Sequence, residues 1–304
     1  MPPEWLWIPV TLTAAATQTL RNAAQRHLTP VLGTLGATLV RFLYGLPFAL
    51  AFYGAVFATG AAPAPRPNAA FLAWVAIASV AQIAATACLL RVMAERNFSV
   101  GVAYSKTEIV QVAAFGLLFL GDPLSFGTAI AVLLGTLGIM LLAPVDRARP
   151  LASLVTGFGT RAARLGLASG AGFSLAAVGF RGAALSLPDT PFLLAAAYTL
   201  AAALITQTLV LGGWLLWRNR AVVASVLREW RRSLFAGFMG AAASACWFTA
   251  FTLQPAAHVR TLGLVEVFLG LAVSRHLFSE RVTRLEAAGM ALLAAAVGTI
   301  SLAT

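Results

Sequence analysis

The chain consists of long apolar runs separated by short polar or proline-containing breaks. Most runs have about 20 residues or more, the length that an α-helix needs to cross the hydrocarbon core of a bilayer. The breaks, such as the proline-rich stretch 61–67 and Gly121-Asp122-Pro123, are too short to form separate domains. The pattern predicts ten membrane-spanning helices, at 5–24, 33–58, 70–93, 100–120, 125–143, 165–185, 192–217, 233–253, 259–278 and 283–302.

Composition agrees with the pattern. Hydrophobic residues make up 60% of the chain and charged residues 10%, and the mean hydropathy is +0.86. A soluble domain carries roughly 25% charged residues. The first apolar run follows Met1-Pro2-Pro3-Glu4 directly and has no basic segment before it, so we interpret it as a retained helix rather than a signal peptide. The sequence therefore predicts an all-α integral membrane protein.

The two halves of the chain resemble each other. At a shift of 158 residues, three pairs coincide: Cys88 with Cys246, Glu108 with Glu266, and Asp122 with Glu280. At a shift of 160 residues, the segment Arg21-Asn22-Ala23-Ala24 matches 181–184. An odd number of helices per copy reverses the orientation of the second copy, so we expect ten transmembrane helices as two inverted five-helix repeats. Their predicted bounds are 1–145 and 165–304, with a connecting loop at 146–164.

Basic residues lie mainly on one side of the predicted membrane. The net charge is +11, and 20 of the 21 basic residues are arginines. One set of loops carries fourteen arginines, whereas the other set carries only Arg66 and Arg260. Positive charge favours the cytoplasmic side, so the bias predicts that both termini face the periplasm. Because the arginines lie in short loops, we expect no binding of nucleic acid.

Glu108 and Glu266 are the most informative polar residues. Each lies within an apolar run, in Tyr104-Ser105-Lys106-Thr107-Glu108 and in Leu262-Gly263-Leu264-Val265-Glu266. An ionisable residue inside a bilayer costs about 2.5–3.5 kcal/mol on insertion scales, so it usually has a function. One hypothesis is a pair of carboxylates beside a central cavity that binds an ammonium group or a proton. The alternative is a structural ion pair with an intramembrane arginine.

Three arginines are further candidates for binding a substrate or a proton. Arg21 and Arg181 are matched between the halves, and Arg41 lies within the second run of the first half. Each can bind a ligand or form an ion pair, or instead extend to the membrane surface. If guanidinium groups and carboxylates share one cavity, a zwitterion fits it, with arginine binding the carboxylate and glutamate the amine.

Lys106, Tyr104 and Trp247 complete the predicted site. Lys106 is the only lysine and lies two residues before Glu108, so we expect the two side chains to point in different directions. Tyr104 and Trp247 can line an apolar pocket, although aromatic residues in membrane helices also serve packing. The three histidines lack metal-ligand spacing, and we expect no metal, no cofactor and no enzymatic activity. His258 and Arg260 begin the ninth helix, where we expect contact with the membrane surface.

Short motifs resemble those of the drug/metabolite transporter superfamily, in its EamA-like branch. That family closes each repeat with an acidic residue followed by two spaced glycines; here the corresponding residues are Glu280, Gly289 and Ala296, and Asp122, Ala131 and Gly138. Val40-Arg41-Phe42 and Arg21 also match its pattern. The proline that the family places midway along helices four and nine is missing, and family members usually keep their termini in the cytoplasm. The resemblance implies a ten-helix transporter of the bacterial inner membrane.

We therefore expect a secondary transporter that exports small organic solutes, namely amino acids, related metabolites or drugs. Its partners would be a small-molecule substrate, protons and membrane lipid, and it would act as a monomer or a homodimer. Two alternatives remain from the sequence: an integral membrane enzyme or lipid-handling protein, and a channel. Neither export over import nor the coupling ion follows from these residues.

Overall fold

The computed structural model describes residues 2–60, 62–93, 104–142, 160–269 and 284–302. These residues form helices joined by turns and loops, with no strand among them. The α-helices are α1 (Trp7–Leu43), α2 (Leu46–Ala58), α3 (Ala69–Met93), α4 (Glu108–Phe115), α5 (Phe126–Leu142), α6 (Arg161–Leu185), α7 (Phe192–Gln207), α8 (Gly213–Arg218), α9 (Arg220–Arg228), α10 (Trp230–Leu253), α11 (Ala256–Leu262) and α12 (Arg284–Leu302). Two π-helical stretches, Gly116–Leu120 and Thr208–Gly212, extend α4 and α7.

Five helical segments are long and apolar enough to cross a membrane: Glu4–Ala58, Ala69–Met93, Arg161–Leu185, Phe192–Arg218 and Trp230–Leu253. Three shorter apolar helices accompany them: Glu108–Leu120, Phe126–Leu141 and Ala287–Leu302. Large apolar side chains such as Leu118, Phe126 and Leu209 point outwards, whereas many of the buried positions are alanine and glycine. An apolar exterior over a small-residue interior is the arrangement of a helical membrane protein.

Gly33 divides α1 into two parts. Its φ of 69° and ψ of 172° are non-helical and favour glycine. Gln25, before the bend, donates from Nε2 to the carbonyl of Ala37 beyond it at 2.9 Å. The loop expected between 24 and 33 is therefore wrong in detail, because the helix continues through Pro30 and changes direction only at Gly33.

Three helix pairs form the main packing contacts. The helix α1 packs along α10, α3 packs along α6, and α5 packs along α12. Glycines permit the close approach: a Cβ on Gly237 of α10 would lie 2.5 Å from the backbone of Tyr44, and one on Gly172 of α6 would lie 2.9 Å from the carbonyl of Ala81. Small residues at such crossings bring helix backbones together within a membrane.

The helices that carry the two glutamates are interrupted just before them. Lys106 and Thr107 form a turn ahead of Glu108, and Gly263 and Leu264 form a turn two residues ahead of Glu266. Both turns are tightened by backbone hydrogen bonds between residues three apart, such as Ile109 N to Lys106 O and Glu266 N to Gly263 O. No proline is needed at either interruption, so the absence of the family's proline does not prevent a helix break here.

Candidate functional site

The two glutamates lie in one buried group of charges. Oε1 of Glu108 is 2.8 Å from Nε of Arg260, and Oε1 of Glu266 forms an ion pair with Nζ of Lys106. The N–H of Arg260 Nε does not point at the oxygen, so the first contact is an ion pair rather than an aligned hydrogen bond. Each carboxylate therefore has a cation partner from the other half of the chain.

Gln18 of α1 connects these charges to an aromatic wall. Its Nε2 donates to Oε2 of Glu266 at 2.6 Å, and its Oε1 accepts from Nε1 of Trp247 at 2.9 Å. The guanidinium carbon of Arg260 lies 4.5 Å from the centre of the Trp247 ring and 5.7 Å from that of Phe251, within cation–π range. We call the six residues Gln18, Lys106, Glu108, Trp247, Arg260 and Glu266 the central cluster. They border a cavity of about 10 Å³, which is barely large enough for one water molecule.

Local packing places the first glutamate. Ser174 of α6 donates its hydroxyl to the backbone carbonyl of Glu108 at 2.9 Å. On the same helix, a Cβ on Gly170 would lie 2.8 Å from the carbonyl of Ser105. The turn at Lys106 and Thr107 therefore packs directly against the backbone of α6, and this contact fixes the positions of Lys106 and Glu108.

A glycine also makes room for the aromatic wall. A Cβ on Gly263 would lie 2.5 Å from the Trp247 ring. Since only glycine leaves that space, the turn before Glu266 and the position of Trp247 depend on each other. The spacing of Gly263 and Glu266 in the sequence is thus explained by packing against α10.

Arg21 and Arg41 lie beside the central cluster without a carboxylate partner among the described residues. The Nε and Nη2 atoms of Arg21 donate to Oδ1 of Asn22 at 3.3 and 2.8 Å, and Nη1 of Arg41 donates to Oγ1 of Thr86 at 3.1 Å. Both side chains are buried, at 2% and 3% exposure, which excludes extension to the membrane surface. We refer to these two residues as the arginine pair.

Each member of the arginine pair lines a small cavity next to the cluster. The cavity at Arg21 has a volume of about 50 Å³ and also touches Ser105, Lys106 and Glu108. The cavity at Arg41 has a volume of about 10 Å³ and an aromatic wall that includes Trp247 and Phe251. Gln18, Phe173 and Arg260 border both cavities, so the two lie on either side of one group of side chains.

Arg181 lies elsewhere, at a junction of helix ends. Its Nη2 is 3.2 Å from Oδ1 of Asp122, and its Nη1 donates to the carbonyls of Phe251 and, at 2.7 Å, Gln254. The structure therefore does not bring Arg181 to the cavities of the central cluster. Instead, Arg181 joins α6 and the end of α10 to the loop that carries Asp122.

Tyr104 is also separated from the cavities. Its buried ring packs against Ala163 and Leu167 at the start of α6, and its carbonyl accepts from the hydroxyl of Thr107 at 2.7 Å. The expected contribution of Tyr104 to an apolar pocket is not observed. Trp247, by contrast, lies where the sequence predicted a lining residue.

The expectation for Arg260 and His258 is wrong. Both were expected at the membrane surface, but both side chains are largely buried, and Arg260 is the partner of Glu108. His258 Nε2 lies 3.2 Å from the hydroxyl of Thr128. The signal that could have located Arg260 is its position six residues before Glu266, inside a run that is otherwise apolar.

The arrangement suits the binding of a charged or polar solute rather than covalent chemistry. Cations and carboxylates line small cavities with aromatic walls, and they come from four segments: α1, the start of α4, α11 and the helical segment that carries Glu266. Over the ranges that the structure describes, no group of three or more histidine, cysteine, aspartate or glutamate residues is placed to hold a metal ion.

Comparison with known proteins identifies the fold alone. No family model and no curated protein sequence matches the chain. A solved structure described only as "Crystal structure of protein" superposes with a TM-score of 0.65 at 14% sequence identity, over 99% of this chain and 96% of the other. The chain therefore shares its overall fold with a solved protein over almost its full length, and no activity follows from that likeness.

Proposed function

We propose that the protein is a secondary transporter that moves small organic solutes across a membrane by alternating access. The observation that carries the proposal is that the ion pairs of the central cluster form between the two halves of the chain. Glu108 pairs with Arg260, and Glu266 pairs with Lys106, so each ion pair joins the two halves. A buried polar centre at the junction of two similar halves is where secondary transporters bind their substrate.

The ten-helix inverted repeat belongs to this proposal. In the proposed repeat, α1 corresponds to α6, and α3 corresponds to α10. The contact between α1 and α10 therefore corresponds to the contact between α6 and α3. Both contacts are extensive, and the contact of α5 with α12 maps onto itself. The segment Glu4–Ala58 has 55 residues and bends at Gly33, which gives room for two crossings of about 20 residues each.

The orientation is proposed from the charges, and the location from the family resemblance. The arginines of the loops favour both termini in the periplasm, and the resemblance implies the bacterial inner membrane. Arg260 is buried in the central cluster and is therefore not a loop residue. The loops on the proposed periplasmic side then carry only Arg66, so the excess of loop arginines on the cytoplasmic side is larger.

The family assignment is likewise proposed from sequence motifs. The resemblance to the EamA-like branch of the drug/metabolite transporters rests on the closing acidic motifs and on Val40-Arg41-Phe42. In the structure, Asp122 of the first motif is held by Arg181, and Arg41 is buried beside the central cluster. These placements support a role for the motif residues in the helix junctions and the centre of the fold.

We propose that the substrates are amino acids or related metabolites, with drugs as a further class, and that the direction is export. The support is chemical: the cavities offer guanidinium groups for a carboxylate and aromatic rings for an apolar part. The energy would come from an ion gradient, and the two carboxylates of the central cluster are the groups that would bind a proton.

Counterflow in proteoliposomes tests the proposal. Purified protein is reconstituted and assayed with radiolabelled amino acids, nucleosides and cationic drugs, with and without a pH gradient. Saturable uptake that is lost in Glu108→Gln supports a transporter with its site at the central cluster. The matched control is Glu229→Gln, at a partly exposed glutamate of the surface whose ion-pair partner among the described residues is Arg232.

Two other outcomes assign the protein to a different class. Gradient-independent flux that does not saturate is the behaviour of a channel. Chemical conversion of a solute by the protein in detergent, with no second compartment, is the behaviour of an enzyme. Normal saturable transport by both Glu108→Gln and Glu266→Gln would contradict the assignment of the site, because both carboxylates would then be structural.

A further inference from the structure

Cations outnumber carboxylates around the central cluster. Among the described residues that line its cavities, four are cationic (Arg21, Arg41, Lys106 and Arg260), and two are anionic (Glu108 and Glu266). Both carboxylates already have a cation partner, Arg260 or Lys106. The described residues thus supply two more positive than negative charges here, and none of their direct ion pairs involves Arg21 or Arg41.

The arginine pair is also incompletely hydrogen-bonded. Nη1 of Arg21 and Nε of Arg41 are buried and have no hydrogen-bond partner among the residues that the structure describes. The groups that Arg21 and Arg41 do contact, Asn22 and Thr86, are neutral. A guanidinium has five N–H donors and cannot lose its charge, so its burial is costly unless an anion is present. These two side chains have the chemistry of an anion-binding site.

The two side chains converge on one glycine of α10. A Cβ on Gly240 would lie 3.3 Å from Cγ of Arg41 and 3.5 Å from Cδ of Arg21. The stems of both arginines thus pass over the same bare stretch of helix. Because Phe173 and Arg260 border the cavities of both arginines, a single solute that displaced these two side chains would contact both guanidinium groups.

We infer that the transported solute is a small organic anion with two negative charges on oxygen, either a dicarboxylate or a phosphate ester. This inference rests on the proposed transport function, and among the substrates proposed above it selects dianionic metabolites over zwitterionic amino acids. Arg21 and Arg41 bind the anionic oxygens, since arginine matches the geometry of carboxylate and phosphate groups. A zwitterion fits less well, because Glu108 and Glu266 are engaged by Arg260 and Lys106 and leave no carboxylate for an amine.

The cavities are too small to hold an organic anion without a conformational change. The larger cavity, of about 50 Å³, has room for water molecules, whereas sites for organic ligands measure about 300–1,000 Å³. Entry of the anion therefore requires the helices around the arginine pair to separate. The aromatic side chains Phe173 and Phe248, which line the cavity at Arg41, lie on α6 and α10 and would move apart with them.

The first measurement is thermal unfolding of the purified full-length protein in detergent. The probes are succinate for dicarboxylates and glycerol 3-phosphate for phosphate esters, with leucine, lysine and sodium chloride at matched ionic strength as comparisons. We expect a concentration-dependent rise of Tm with one of the two anions alone. The anion that acts identifies which source of negative oxygens the site takes.

The variants separate a binding role from a structural role. Without anion, Arg21→Gln and Arg41→Gln should raise Tm by about 2 °C or more, because each removes a buried charge that lacks a counter-ion. In the presence of the anion, both should weaken its binding by about tenfold or more. Arg41→Lys keeps the charge and should retain part of the anion-dependent rise. The control Arg232→Gln, at a side chain that is 70% exposed, should change neither quantity.

Counterflow in proteoliposomes with the same probes completes the test. Saturable uptake of an anion, reduced in Arg21→Gln and Arg41→Gln, supports both the inference and the transport function. An anion-dependent Tm rise that the variants lose, without any uptake, supports the anion site and contradicts transport. Saturable uptake of leucine or lysine, with no effect of either anion, overturns the inference and leaves transport standing.

Two further results would overturn the inference. One is the absence of any anion effect on Tm together with the absence of any uptake. The other concerns Glu280, which lies outside the described residues and is the repeat counterpart of Asp122, the partner of Arg181. The substitution Glu280→Gln is made in wild type, in Arg41→Gln and in Arg21→Gln. If it lowered Tm equally in the first two backgrounds but not in Arg21→Gln, the carboxylate of Glu280 would already neutralise Arg21.

Discussion

Arg260 lies with its Nε 2.8 Å from the carboxylate of Glu108, although the two residues belong to different halves of the chain. Both side chains are about nine-tenths buried, and Arg260 also stacks over the Trp247 ring. Removal of one member of such a pair leaves the other buried without a counter-ion. The pair is therefore both a connection between the halves and a place where single substitutions are costly.

We expect Glu108→Gln and Arg260→Gln each to destabilise the protein by about 3–5 kcal/mol, and the double variant to be less destabilised than the sum of the two. Thermal unfolding in detergent gives the three values, and the double-mutant cycle gives the coupling energy. Additive effects would contradict the ion pair. A useful comparison is the cycle of Glu229 and Arg232 at the surface, where we expect a coupling of at most about 1 kcal/mol.

Gln18→Leu should remove two hydrogen bonds from the central cluster at once, those to Glu266 and Trp247. The volume of the side chain is nearly unchanged, so the expected loss of about 1–3 kcal/mol comes from the unpaired polar groups. We also expect slower transport, since Glu266 then depends on Lys106 alone. Gln18→Glu is the informative counterpart: it places a third carboxylate beside Glu266 and should be worse than leucine.

The contact between Arg181 and Asp122 predicts a stability effect without a loss of substrate binding. Asp122→Asn should cost about 1–3 kcal/mol, because Arg181 keeps its backbone acceptors at Phe251 and Gln254 but loses its counter-ion. Substrate affinity, measured in detergent, should stay within about twofold of wild type. A tenfold loss of affinity with unchanged Tm would place Arg181 in the binding site and contradict its position at the helix junction.

Gly237→Ala should disrupt the crossing of α10 over the end of α1. The new Cβ would lie 2.5 Å from the backbone carbon of Tyr44, so the helices must separate, with an expected cost of about 1–3 kcal/mol. Gly54→Ala in α2 is the matched control, because no atom lies within 4 Å of its Cβ position. There we expect a neutral or slightly stabilising effect from the higher helix propensity of alanine. Equal Tm changes in the two variants would argue against the close crossing.

The orientation of the chain is tested by a reporter at its C-terminus. The arginine distribution predicts periplasmic behaviour, so alkaline phosphatase should be active and green fluorescent protein dark. Reporters placed after residue 66 should behave in the same way as those at the C-terminus. A fluorescent C-terminal fusion would reverse the proposed orientation and agree with the orientation usual in the resembling family.

The sequence predicted the helical membrane class and three of the four residues in the two ion pairs of the central cluster. Apolar runs are long enough to be counted, and charged residues within such runs stand out at Lys106, Glu108 and Glu266. The fourth residue was harder to recognise. Arg260 was taken for a loop charge because it follows Pro255 and His258 near the predicted start of a helix, and only the tertiary packing shows that this short helix is buried.

Details of the helices also depend on tertiary contacts. The sequence placed a loop before residue 33, but glycine at that position bends a helix that otherwise continues. The turn at Lys106 and Thr107 contains neither glycine nor proline, so no local signal marks it. It exists because α6 presents Gly170 and Ser174 to the backbone there. The sequence also did not predict the direction of individual side chains. Nothing in it distinguishes Arg181, which contacts Asp122, from its counterpart Arg21.

The crossed pairing in the central cluster bears on the proposed origin of the chain from two copies of one repeat. Each half contributes one acid and one base: Glu108 with Lys106, and Glu266 with Arg260. If the two halves are copies of one ancestral segment, as proposed above, a symmetric dimer of either half would also offer each of these carboxylates a cation. Fusion of two such copies would then have required no simultaneous change of charge at these four positions.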